Sequence, residues 1–140
     1  MLTLLALFSV TAIAAAGNGR GFGDDIDWKL LADTDIAASD LTMVVIHKSW
    51  CGACKSLGPQ VAADPKIKEL SAKFTMVNVI DDEEPEGDAR FAGDGGYIPR
   101  VFFYSKGKLL DSVTSGNDQY KYYFSSAEAV ASAMEKAAAQ

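Results

Sequence analysis

The sequence predicts an α/β domain built on a central mixed β-sheet with helices on both faces. Three observations lead there. The apolar run from Leu41 to Ile46 passes directly into a stretch of helical character. A second apolar run, Phe74 to Ile80, follows a helix opened by Asp64-Pro65. Val101-Phe102-Phe103-Tyr104 is joined through Ser105-Lys106-Gly107 to Lys108–Val113 at the spacing of a β-hairpin. A strand–helix–strand crossover followed by a hairpin and a closing helix gives parallel strands extended by antiparallel ones, packed between layers.

Composition agrees with one domain. The chain has 140 residues, 49% of them hydrophobic and 23% charged, enough for a single core of its own. Its net charge of −6 and the absence of any Lys/Arg cluster exclude nucleic acid as the expected partner.

From the start of the chain, Leu2 to Ala16 is uncharged and mostly apolar, with small residues at Ala12 to Ala16, which is the pattern of a secretory signal peptide over 1–16. Gly17, Asn18, Gly19 and Arg20 end the run before the roughly 20 residues a membrane span needs, so no membrane attachment is expected after cleavage. Residues 17–26, with glycine at every second position from Gly17 to Gly23, read as a flexible lead-in, and 27–140 as the domain. Trp28, Leu30, Leu31 and Ile36 suggest a short helix or turn, and Thr42 to His47 a strand. The helix after it meets Pro59, which removes one hydrogen bond and predicts a bend or break near Gly58-Pro59. Asp64 is placed to cap the next helix, with Pro65 at its first position and Ile67 and Leu70 inward. The run Phe74–Ile80 suits a strand buried on both faces. Asp81 to Glu86 then reads as a solvated acidic turn, and Tyr120 to Phe124 as core or edge packing. Ser125 and Glu128 have capping-box spacing ahead of a helix whose inward face is Ala127, Val130, Ala131, Met134 and Ala138.

The chemistry lies in Trp50-Cys51-Gly52-Ala53-Cys54-Lys55, which holds the only two cysteines of the chain. A strand-to-helix junction puts Cys51 at a helix N-terminus, where unpaired N–H groups and the helix dipole stabilise a thiolate. Such a site brings a thiol from about 8.5 down to roughly 3.5–7.5. Cys51 is then the nucleophile that attacks a disulfide, and Cys54, one turn further in, resolves the mixed disulfide.

Together with Pro59 and with Ile98-Pro99 directly before a strand, this motif resembles the thioredoxin superfamily. His47–Lys55, Asp94–Arg100 and Tyr120–Tyr122 resemble more closely the small endoplasmic-reticulum relatives of protein disulfide isomerase that are kin to the anterior gradient proteins. The resemblance runs from about Gly21 to near the C-terminus. It implies a thioredoxin-like fold and a cis Pro99 facing the sulfurs, with Trp50, Gly52, Ala53, Ile98 and Pro99 contacting substrate. It also implies glutathione as the redox partner, with no bound cofactor. Thioredoxins carry a buried acid at the position of Val45, so proton transfer to and from Cys54 must use water or another group, and His47 and Lys48 are the nearest candidates by sequence. Alanine at 53 cannot stabilise the thiolate as a histidine does, so the pair should be less oxidising than that of an isomerase. Clients are expected to be disulfide- or thiol-containing secretory proteins, met by a monomer in the endoplasmic-reticulum lumen or outside the cell, since Lys136 to Gln140 carries no retention signal.

Beyond the two cysteines only His47 and scattered carboxylates remain as ligands, so no metal is expected. A structural disulfide would close too short a loop to stabilise much. The remaining alternative is a module that holds clients on the same fold without redox chemistry.

Overall fold

The computed structural model describes residues 17–140, and the expected signal segment 1–16 lies outside the described residues. Strands β1 (Trp28–Lys29), β2 (Leu41–His47) and β3 (Thr75–Ile80) run parallel. β4 (Arg100–Ser105) lies antiparallel to β2, and β5 (Lys108–Leu109) antiparallel to β4. The order across the sheet is β1-β3-β2-β4-β5, so the strand that leads into the cysteines is central.

Alternation along β2 and β3 divides the core in two. Met43, Val45 and Met76 face one side, where they pack with Leu57 and Val61 of α1 (Gly52–Ala63), Ile67 and Leu70 of α2 (Pro65–Ser71), and Val130 and Met134 of α3 (Ala127–Ala138). Val44, Ile46, Val77 and Val79 face the other. That side is covered by Ile36 and Phe91 from short 3-10 helices and by Tyr122. A one-residue slip of β2 would exchange the two sets, so register is strongly specified.

Local chemistry explains the boundaries. The Asp64 side chain accepts from the Lys66 and Ile67 amides, capping α2 with Pro65 at its first position. Asp64→Ala should cost about 1 kcal/mol of stability in urea unfolding. Ser105-Lys106-Gly107-Lys108 closes the hairpin with φ of 49° and 81° at its two central residues. Both lie in the left-handed region that a two-residue turn requires, and a Cβ on Gly107 would sit 2.9 Å from the Ala37 Cα.

Several expectations are corrected. Leu31–Asp33 and Ile36–Ala38 are short 3-10 helices as expected, but Trp28-Lys29 before them is a strand, because the outer edge of β3 offers unpaired backbone groups that it satisfies. α1 is not broken at Pro59 but runs as one helix from Gly52 to Ala63: the lost hydrogen bond is a single one, and Leu57 and Val61 on either side are each only 1% exposed. The second hairpin strand stops at Leu109, since the chain turns at once through the Val113 amide to the Leu110 carbonyl. The cap of α3 is Ser126, one residue later than the spacing suggested, and its side chain accepts from the Ala129 amide. The lead-in is anchored rather than loose: Phe22 is 2% exposed, and the Gly19 carbonyl accepts from Asn78 Nδ2 at 2.8 Å. Among the described residues no helix is long and apolar enough to cross a membrane.

Candidate active site

Cys51 caps α1 from the end of the loop after β2, and Cys54 lies in its first turn. The two are joined as a disulfide with Cα atoms 5.2 Å apart. The Cys54 amide donates to Cys51 Sγ at 3.1 Å. One of the unpaired amides of the helix start is thus aimed at the sulfur that would carry negative charge after reduction. Cys51 is 6% exposed and Cys54 2%, so the outer sulfur is the expected nucleophile. Gly52 and Ala53 between them are exposed, with open space around Gly52.

The Ile98–Pro99 peptide bond is cis, and the Ile98 carbonyl oxygen is 3.9 Å from Cys51 Sγ. Folding therefore unites residues almost fifty positions apart into one face of sulfur, carbonyl and proline ring. Trp50 beside it is 73% exposed, which rules out core packing as its role. The loop leading to Pro99 is held from behind. Tyr97 donates to Asp94 and accepts the Tyr122 amide at 3.0 Å, while Asp94 accepts the Lys121 amide at 2.9 Å. Burial and the Asp94 carboxylate push the Tyr97 hydroxyl up to about 12. Tyr120 packs edge-on against Tyr97 at 5.1 Å and is 48% exposed, unlike the buried Tyr122 and Phe124 of the same run.

The acidic segment after β3 is exposed at Asp82, Glu83 and Glu86, as expected of a solvated turn, but it is also an anchor. Asp81 accepts the Ser49 amide at 2.8 Å, a bond that lowers its pKa, and its carbonyl accepts from Lys48 Nζ at 2.8 Å. Glu83 pairs with Arg20 of the lead-in, which lowers its pKa. Glu84 bridges Lys48, at 3.0 Å, and Arg100. Burial raises the Glu84 carboxyl, but the two cations outweigh it and hold the pKa below the ordinary carboxylate value. Arg100 also donates to the Tyr97 carbonyl at 2.8 Å, so one carboxylate ties the residues before Cys51 to the residue after Pro99. Sequence reasoning missed Glu84 and Arg100. The only available signal was a charged residue at the head of an otherwise apolar strand.

Behind the cysteines lies a cleft of about 310 Å³ lined by Cys54, His47, Phe22, Arg20, Lys48 and Lys55 among others. His47 is 3% exposed, and its Nε2 lies 2.7 Å from Asn78 Oδ1. Lys48 lines the same cleft, but its ammonium is already engaged by Glu84 and the Asp81 carbonyl. Burial lowers the His47 pKa below 6.5, against the opposing effect of the Asn78 bond. Below pH 6.5 the unfolded chain therefore binds a proton that the folded chain resists. This contribution to stability is complete above about pH 6.5 and declines as the pH falls beneath it. Urea midpoints measured from pH 7.5 to 5 should fall with pH, and the slope should flatten in His47→Gln. Among the described residues no group of three or more His, Cys, Asp or Glu is placed to hold a metal ion.

A mixed sheet carrying a Cys-x-x-Cys at the start of a helix, opposed by a cis proline, defines a thioredoxin-type domain. The comparisons agree. A family model described as thioredoxin-like matches residues 41–106, from the start of β2 into the hairpin. Thioredoxin of Mycoplasmoides gallisepticum is 32% identical over 82 residues, covering 56% of this chain and 74% of that protein. The chain belongs to the thioredoxin superfamily. Anterior gradient protein 1 of Xenopus tropicalis is 28% identical over 109 residues, or 74% of this chain, and the chain spans 57% of that relative's length.

Proposed function

We propose that this chain is a thiol–disulfide oxidoreductase that exchanges disulfides with protein clients of the secretory pathway. Cys51 attacks, Cys54 resolves, and glutathione restores the starting state. The observation that carries this reading is the Cys54 amide aimed at Cys51 Sγ, 3.1 Å away, on the face that Ile98-Pro99 completes. That amide favours thiolate over thiol at Cys51, and the thiolate is the reactive species in exchange. The backbone at Ile98 presents an edge against which an extended client segment can pair, with Trp50 as apolar contact. The apolar leader and the relationship to an anterior gradient protein support a secretory setting, in the endoplasmic-reticulum lumen or beyond it.

The test is the redox equilibrium of the Cys51–Cys54 pair against glutathione buffers, read by thiol alkylation and mass, together with turnover of a small model disulfide by reduced glutathione. We expect reversible titration, a position more reducing than that of disulfide isomerase measured alongside, and glutathione-dependent turnover. A pair that titrates without turnover, in a protein that still binds unfolded clients, would instead support a holding module without redox chemistry.

A further inference from the structure

Resolution of the mixed disulfide requires Cys54 to lose its proton in a site where Val45, fully buried, stands in place of the family's acid. The parallel register sets Val45 beside Asn78, and His47 two residues along β2 points to the same face of the sheet. Asn78 Nδ2 donates to the Gly19 carbonyl at 2.8 Å, which leaves Oδ1 to accept. The His47 nitrogen facing Oδ1 is Nε2, so Nε2 carries the hydrogen and Nδ1 keeps its lone pair. The Phe22 ring lies 4.6 Å from the imidazole and limits its rotation. A neutral, oriented imidazole with one basic nitrogen thus shares a cleft with Cys54.

We propose that His47 Nδ1 is the proton acceptor for Cys54, and that Asn78, itself held by the Gly19 carbonyl, is the positioning residue that fixes its tautomer. In the step, the Cys54 S–H proton passes to Nδ1, directly or across one water of the cleft. The Cys54 sulfur lone pair forms the bond to Cys51 Sγ as the bond from Cys51 to the client sulfur breaks. The client leaves as thiolate with that electron pair and takes up the proton from the imidazolium or solvent. Electrons balance within the exchange, and no external oxidant enters. Arg20, Lys48 and Lys55 around the cleft favour the thiolate. Asp81 and Glu83, from the segment after β3, favour the imidazolium, whereas Arg20 opposes it. Lys48 is not the acceptor, because its ammonium donates to Glu84 and Asp81. The proposal rests on the reading of Cys51–Cys54 as an exchange site.

Stopped-flow mixing of the reduced protein with a chromogenic nitroaryl disulfide separates the two sulfurs. The first release of nitrothiolate reports attack by Cys51, and the second reports attack by Cys54. Cys54→Ala identifies the first phase. In the wild type the second phase should have an inflection in the imidazole range, below 6.5. His47→Gln should slow the second phase relative to the first at least about tenfold at pH 7 and move its inflection toward the thiol range near 8.5. Asn78→Ala, which removes the acceptor that raises the basicity of His47, should move the inflection to lower pH. A second phase whose rate and inflection are the same in both variants as in the wild type overturns the proposal. Absence of the first phase in the wild type would instead overturn the exchange reading itself.

Discussion

Replacing Cys51 with serine is expected to lower disulfide turnover at least about 10³-fold, whereas Cys54→Ser should keep the first attack and hold the client covalently. The asymmetry follows from position. Cys51 caps α1, receives the Cys54 amide and is the more exposed sulfur. A serine hydroxyl there stays protonated at neutral pH even with the same amide aimed at it, so the helix start has no anion to stabilise. Cys54 is buried at 2% and reaches only a disulfide already delivered to Cys51. Expressed in a secretory lysate, Cys54→Ser should yield mixed disulfides visible as bands lost on reduction, and the double variant should yield none. Equal trapping by Cys51→Ser would mean that either sulfur can make the first attack, and trapping by Cys51→Ser alone that the roles are reversed.

Glu84→Ala should cost about 2–4 kcal/mol, more than any surface substitution. The Arg100 side chain is 3% exposed, and Glu84 is its carboxylate partner among the described residues. Its Nε has no hydrogen-bond partner among the described residues. Removing Glu84 leaves a buried guanidinium held by one carbonyl. The cost reaches below the usual range of about 3–5 kcal/mol for a broken buried pair because Glu84 itself is 24% exposed and water can enter. Lys48→Ala should cost less, because the carboxylate keeps its buried partner. Replacing Glu84 and Arg100 together by leucine should recover much of the loss, since no unpaired charge remains. Urea unfolding of the variants measures all three. A Glu84→Ala value within about 0.5 kcal/mol of the wild type would show that the bridge contributes nothing.

Much of the fold was legible because its strands are unusually apolar. Leu41–Ile46, Thr75–Ile80 of the run Phe74–Ile80, and Val101–Tyr104 lie in three neighbouring strands, and Asp64-Pro65 marked a helix start correctly because both its cap and its first position are local chemistry. What stayed hidden depends on tertiary partners. Trp28-Lys29 is too short to show a period and becomes a strand only because β3 has a free edge. The run Asp81–Glu86 looks solvated until Lys48, Ser49, Arg20 and Arg100 are brought beside it. At the site, Cys51, Cys54 and Pro99 could be named from spacing and resemblance. His47 and Lys48 could not be ranked, because strand alternation says which face a residue occupies but not which neighbour consumes its polar atoms. Asn78 was the overlooked clue, a polar side chain set in the apolar run Met76–Ile80.

Gly58 turns this into a practical matter of where the chain can be cut. A Cβ at this buried helical position would lie 2.5 Å from the Gly21 carbonyl oxygen, so the bare helix surface is the seat on which the lead-in rests. A chain cut at the first strand would therefore leave this seat empty. A recombinant protein starting at Trp28 would keep both cysteines yet lose Phe22, the Arg20 partner of Glu83 and the carbonyl that anchors Asn78. A start at Gly17 retains all three.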